Sequence, residues 1–189
     1  MDRIIKVSNY LVKLFYFLLV ALPLFSLFGI LMMASEPFHS WAVASPFIDF
    51  TQKTPEGIVN LLEITFTPLS EIIYLAGRLV SLAPILLSLL VLICLFKNYR
   101  QEIFFSSVNT LCYRRLGLLF FLNALFFKPV TELLDVLAIT LSNPPGHRYI
   151  VLGFGSPNFE DMFIGVLLLI ISWVMHKAQV MQEEQQFVI

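Results

Sequence analysis

Residues 14–35 read LFYFLLVALPLFSLFGILMMAS, a run of 22 positions from Leu14 to Ser35 without a formal charge. At 1.5 Å rise per residue a helix of that length is about 33 Å long, enough to cross the roughly 30 Å hydrocarbon layer of a bilayer. Basic Arg3, Lys6 and Lys13 precede the run and Ala42-Val43-Ala44 follows it, which is also how a cleavable signal peptide is laid out. Signal h-regions, however, run to about 7–15 residues, so the stretch is read as a retained anchor.

The rest of the chain repeats this character. Of 189 residues 58% are hydrophobic and 13% charged, with 19 Phe, whereas soluble domains carry about a quarter charged residues. A large soluble catalytic domain is excluded. So is intrinsic disorder, which needs low hydrophobicity and high net charge, because the formal charge here is -1. The expected fold is an all-α integral membrane protein, one domain over 1–189, with four transmembrane helices at about 14–35, 76–97, 116–141 and 160–178. The second span gains length by reaching back past Arg78, whose side chain can extend to the interface. The third contains Lys128, Glu132 and Asp135, and the fourth has only Met162 to Met175 free of charge.

Lys and Arg accumulate in short cytoplasmic loops. With both termini inside, the cytoplasmic segments and adjoining span ends hold eight cations against four acids, and the outer segments, counting the outer half of span three and the outer ends of spans two and four, hold four cations against nine acids. The near-neutral chain is therefore polarised, +4 inside and -5 outside. The outer loops fall at about 36–75 and 142–159, the cytoplasmic loop at about 98–115 and a cytoplasmic tail at 179–189. Thr54-Pro55-Glu56 reads as N-cap, first-turn proline and first-turn acid, and Ile58, Leu61, Leu62 and Thr65 follow at helical spacing, so an amphipathic helix on the outer surface is expected. Thr67-Pro68 repeats the start signal and leads into span two. His147 to Leu152 has strand character and could pair with Trp41 to Phe50 as a short outer β-hairpin.

Gly77, Ser81, Pro84 and Ser88 lie on one face of span two. Small residues on one face let membrane helices approach closely, so this is a helix-packing seam, with a homo-oligomer contact as the alternative. Lys128, Glu132 and Asp135, spaced by four and three, share a face of span three. Ionisable groups within a membrane are costly, and these three are the intramembrane polar candidates for an ion or proton relay. The plain alternative is a span that ends at Lys128-Pro129.

Metal binding finds little support, because His39, His147 and His176 fall on different sides and no pair has ligand spacing. Cys94 lies in span two and Cys112 in the cytoplasmic loop, so neither a disulfide nor CxxC chemistry is expected. No phosphate loop, nucleophile elbow or HExxH occurs. The chain is read as a non-enzyme, with no catalytic residue, cofactor or metal. On the cytoplasmic face, Lys97, Arg100, Glu102, Phe104, Asn109, Arg114 and Arg115, with Glu183 and Glu184 of the tail, are the candidates for docking a partner. Lipid is the plain alternative for the basic residues.

The run Leu95-Phe96-Lys97-Asn98-Tyr99-Arg100-Gln101-Glu102-Ile103-Phe104, then Asn109 and Arg115-Leu116-Gly117, resembles the pattern L-F-x-x-Y-x-x-G-E-I-F followed by N and a basic-apolar-Gly step. That pattern marks a bacterial family of small four-span inner-membrane proteins of unknown function, the YoaS-like group. The ending Glu183-Glu184-Gln185-Gln186-Phe187-Val188-Ile189 is similar to the family's E-E-x-D-L-T-V/I. Gln101 stands where the family has Gly, and Gln186 and Val188 where it has Asp and Thr. The resemblance covers roughly Leu79 to Ile189. It implies a multi-pass protein of the bacterial inner membrane that senses a signal or anchors a cytoplasmic helix-turn-helix regulator, with no direct contact to nucleic acid. The alternative function is a small oligomeric transporter or ion-coupled carrier using the Lys128/Glu132/Asp135 face.

Overall fold

The computed structural model describes residues 2–33, 51–54, 57–60, 66–143, 148, 150 and 156–186. Within them lie five α-helices, α1 (Asp2–Met33), α2 (Pro68–Arg100), α3 (Ser107–Leu122), α4 (Lys128–Ser142) and α5 (Ser156–Gln186), and two strands, β1 (Thr51–Thr54) and β2 (Gly57–Asn60). A π-helical turn, Asn123–Phe127, joins α3 to α4, so residues 107–142 form one helical segment. Among the described residues three stretches are long and apolar enough to cross a membrane: Arg3–Phe28, Pro68–Arg100 and Asn158–Gln185. Their large apolar side chains point outward, Phe25 74%, Phe17 67% and Trp173 63% exposed. Exposed apolar side chains of that size suit lipid and not water.

The chain divides into two compact units, Met1–Ala21 with Ala83–Phe126 and Gly155–Ile189, and Leu22–Leu82 with Phe127–Phe154. In the first, α3 and α5 pack closely along a seam of small and polar residues. Ser172 Oγ donates to the Thr110 carbonyl at 2.9 Å. A Cβ on Gly117 would stand 2.9 Å from the Gly165 carbonyl oxygen and 2.8 Å from Leu169 Cγ. Asn158 Nδ2 donates to the Ala124 carbonyl at 2.7 Å. Thr110, Gly117 and Ala124 are seven residues apart, as are Asn158, Gly165 and Ser172, so the two helices run antiparallel in one register with a heptad repeat. The π turn completes it. In an i+5 ladder the Ala124 carbonyl would look to residue 129, and Pro129 has no N–H. Asn158 supplies the missing donor.

The second unit repeats the device with α2 and α4. Ser70 and Ser142 hydroxyls meet at 2.9 Å, and a Cβ on Gly77 would lie 3.3 Å from Leu134 Cβ and 3.0 Å from Asp135 Oδ1. Ser70 and Gly77 are again seven apart, as are Asp135 and Ser142. Between these two contacts Tyr74, Ala138 and Ile139 form a buried cluster with Phe66 and Ile73 against it. Thr67 caps α2, its Oγ1 accepting from the Ser70 N–H at 3.4 Å, where Thr67-Pro68 marks a start.

Two expectations are corrected. Instead of an amphipathic helix from Thr54, β1 and β2 pair antiparallel, Gln52 with Val59 and Lys53 with Ile58. Thr51, Thr54, Ile58 and Val59 are β-branched and favour strands, and Gly57 takes φ +128, which the other residues rarely adopt. The strands expected over Trp41 to Phe50 and His147 to Leu152 lie outside the described residues, apart from Arg148 and Ile150. Between α2 and α3 the loop expected at about 98–115 is largely helical. A turn at 101–106 separates the two, and helix resumes at Ser107 because Ser106 Oγ accepts from the Asn109 N–H at 3.2 Å. The boundaries also move: α1 begins at Asp2, well before 14, and α5 runs past both ends of 160–178.

Gly117→Ala is expected to cost about 1–3 kcal/mol, the penalty of overpacking a close contact, since the new methyl meets the backbone of α5. Thermal unfolding of the detergent-solubilised protein reads this out, with Leu118→Ala, on the exposed face of α3, as the control that changes little.

Candidate functional site

The turn joining α2 to α3 is held from within. The Ile103 N–H donates to the Asn98 carbonyl at 3.1 Å and the Glu102 N–H to the Tyr99 carbonyl at 3.1 Å, the bond pair of a Schellman helix end. Glu102 carries the left-handed conformation, φ 61, that glycine usually supplies at this place. The departure at Gln101 thus leaves the turn formed, with a glutamate in the costly position. Asn109, completely buried, fastens the turn. Its Nδ2 donates to the Ile103 and Phe104 carbonyls at 2.7 and 2.8 Å, and its Oδ1 accepts from Asn98 Nδ2 at 2.7 Å. Tyr99 and Tyr113 hydroxyls meet at 2.6 Å, and Tyr99 packs against Phe96 and Phe104. The backbone groups of the turn that accept from Asn109 are therefore closed to other partners, and its outward side chains are held on a rigid base.

Of the candidates for docking a partner, Lys97, Arg100, Glu102, Arg114, Arg115, Glu183 and Glu184 are exposed, Phe104 is half-buried and Asn109 is buried as the clamp. Lys97 Nζ lies 5.4 Å from the Tyr16 ring centroid, a cation–π contact. Ile103, Phe105, Val108 and Leu111 are exposed beside the cations. Sequence reasoning gave Asn109 only as part of a motif. The signal for its role is an amide just after a Ser N-cap, where a side chain can reach back to the turn.

The second polar cluster lies between α2 and α4. Asp135, its side chain 4% exposed, pairs with Arg78, 33% exposed. The sequence aligned Asp135 with Lys128 and Glu132; all three share α4, where Lys128 and Glu132 are half-buried, and the fold adds Arg78 from α2. The Arg78 guanidinium also lies 4.9 Å from the Tyr74 ring centroid. Among the described residues Arg78 Nε, Asp135 Oδ1 and Thr131 Oγ1 are buried with no hydrogen-bond partner, so the cluster is only part satisfied. Gly77 admits Asp135 by lacking a side chain. Ser81 Oγ donates to the Arg78 carbonyl at 2.8 Å. Pro84 and Ser88, farther along the same face, line an apolar cavity of about 250 Å³ with Leu92, Leu119, Phe120 and Asn123. Asn123 Nδ2 donates to Asp161 Oδ2 at 2.5 Å. No group of three or more potential metal-ligating side chains occurs among the described residues.

Residues 5–189 match the family described as a protein of unknown function, DUF2975. The chain belongs to that family of uncharacterised proteins, and the match extends through the first loop as well as the later helices. No curated protein and no solved structure matches the chain.

Removing one partner of a buried pair leaves an uncompensated charge, at about 3–5 kcal/mol. Because Arg78 is a third exposed, Asp135→Leu is expected to cost nearer the lower end of that range. The double variant Arg78→Met with Asp135→Leu recovers much of the loss. Chemical or thermal unfolding of the three proteins in one detergent measures the coupling.

Proposed function

We propose that the chain is a four-span, non-enzymatic protein of the bacterial inner membrane, with both termini in the cytoplasm, that holds a soluble regulator at its cytoplasmic face. The carrying observation is the clamped turn between α2 and α3. Asn109 fixes it, and Arg100, Arg114 and Arg115 stand exposed around it beside Ile103, Phe105, Val108 and Leu111. A rigid surface presenting cations and apolar side chains together suits a folded partner with an acidic rim and an apolar centre. Ordering costs on binding are low, because the turn is already fixed. In this reading the segment 107–142 is the additional span, its Arg114 and Arg115 at the cytoplasmic boundary in accord with the positive-inside rule. The resemblance to a group whose members accompany helix-turn-helix regulators makes such a regulator the proposed partner.

A carrier is the second reading, and the part-satisfied Arg78–Asp135 pair favours it. Its candidate residues then become Arg78, Thr131 and Asp135 in addition to Lys128 and Glu132. Carriers commonly place such groups beside broken helices, and the π turn followed by Pro129 interrupts the ladder just before this cluster.

Co-purification of the full-length tagged protein with the products of neighbouring genes tests the first reading. The expected outcome is a helix-turn-helix protein retained by the wild type, with retention reduced on the order of tenfold or more when Arg100, Arg114 and Arg115 are all replaced by Glu. Retention unchanged by the charge reversal, or no such protein retained, contradicts it.

A further inference from the structure

Cys94 and Cys112 were expected to lie apart, one in the membrane and the other in a loop. The hairpin of α2 and α3 brings them together. Asn98 bonds Asn109 at 2.7 Å, and one helical turn farther from the connection, four residues back on α2 and three forward on α3, stand Cys94 and Cys112. The register set by that bond puts the two residues in the same layer of the hairpin. The two sulfurs differ in access: Cys94 is exposed, Cys112 buried at 2%. Neither is already in a disulfide.

We infer that Cys94 and Cys112 are a redox-active dithiol that a hydroperoxide converts to an interhelical disulfide. The asymmetry of access assigns the roles. Exposed Cys94 attacks the peroxide: its sulfur forms a bond to the distal oxygen as the O–O bond breaks, and its proton leaves with the other oxygen as an alcohol, or as water from hydrogen peroxide. The product is a sulfenic acid on Cys94. Buried Cys112 then attacks that sulfur. The S–S bond forms, the S–O bond breaks, and the departing hydroxyl takes the Cys112 proton to leave as a second molecule, water. Two thiols are oxidised by two electrons and one peroxide is reduced. Burial makes Cys112 a poor first nucleophile and suits it to react only with the sulfenic acid formed beside it. The pairing of the two residues in one layer stands on the hairpin's hydrogen bonds and does not depend on what the turn binds.

The closed disulfide would tie together the two helices that carry the clamped turn, just as the Asn98–Asn109 bond does non-covalently. Oxidation at this place therefore has a mechanical target at the base of Arg100 and Arg114.

The test uses the full-length protein in detergent and in vesicles of neutral lipid, treated with cumene hydroperoxide and then with N-ethylmaleimide. The expected result is a monomer whose intact mass falls by two hydrogens, which takes up no maleimide until a reductant is added. Peptide mapping should show one Cys94–Cys112 link. Cys112→Ser should instead accumulate a sulfenic acid on Cys94, trapped by dimedone, and Cys94→Ser should leave Cys112 unoxidised at the same dose. Because both serine variants are near-isosteric, their folding can be checked by thermal unfolding. Oxidised protein that still takes up two maleimides, or links formed only between two chains, overturns the assignment.

Discussion

Helices in lipid have no hydrophobic drive to associate, since the surrounding tails are as apolar as leucine. What holds this protein together is close backbone approach along antiparallel seams of small and polar residues repeating every seven. Gly117 faces Gly165 between α3 and α5, and Gly77 faces Leu134 and Asp135 between α2 and α4. Each seam is closed at an end by a hydrogen bond that needs the same approach, Ser172 to Thr110 in one and Ser70 with Ser142 in the other. Large apolar residues are thereby released to the outer surface, where lipid accepts them.

The same constraint decides where polar groups can stand. Asp135 fits between helices because Gly77 leaves room for it, and once there its charge needs Arg78. Asn158 fits because the π turn leaves the Ala124 carbonyl in want of a donor. Asn109 occupies the carbonyls of Ile103 and Phe104, so that the end of the α2–α3 hairpin is rigid while its cations stay exposed. Structure and proposed function meet there: the interior of the turn is taken up in holding it, and its outward side chains remain exposed.

Much of this was legible in the sequence, and the rest was hidden for physical reasons. Leu14 to Ser35 and Leu79 to Phe96 announce themselves, because uninterrupted apolar length is a local property. Gly77, Ser81, Pro84 and Ser88 could be placed on one face by helical spacing alone. Gly165, Ser172 and Asn158 could not be matched to their partners, since a seam appears only when two helices are set side by side. For the same reason Asp135 was grouped with Lys128 and Glu132, its neighbours at helical spacing, while Arg78 lies 57 positions away. Thr54-Pro55-Glu56 misled because a helix-start signal takes no account of the β-branched residues on either side of it. Gly57 and the β-branched Ile58 and Val59 decided for the hairpin. Cys94 and Cys112 looked separate because a boundary was drawn between them where the chain only turns.

Disulfide cross-linking in native membranes tests the seam most directly. In a chain whose two natural cysteines are replaced by Ser, Thr110→Cys with Ser172→Cys should form an intramolecular bond under mild oxidation, whereas Thr110→Cys with Val174→Cys, which places the second thiol on the exposed face of α5, should not. Equal cross-linking of both pairs, or of the shifted pair alone, contradicts the antiparallel register on which the fold rests.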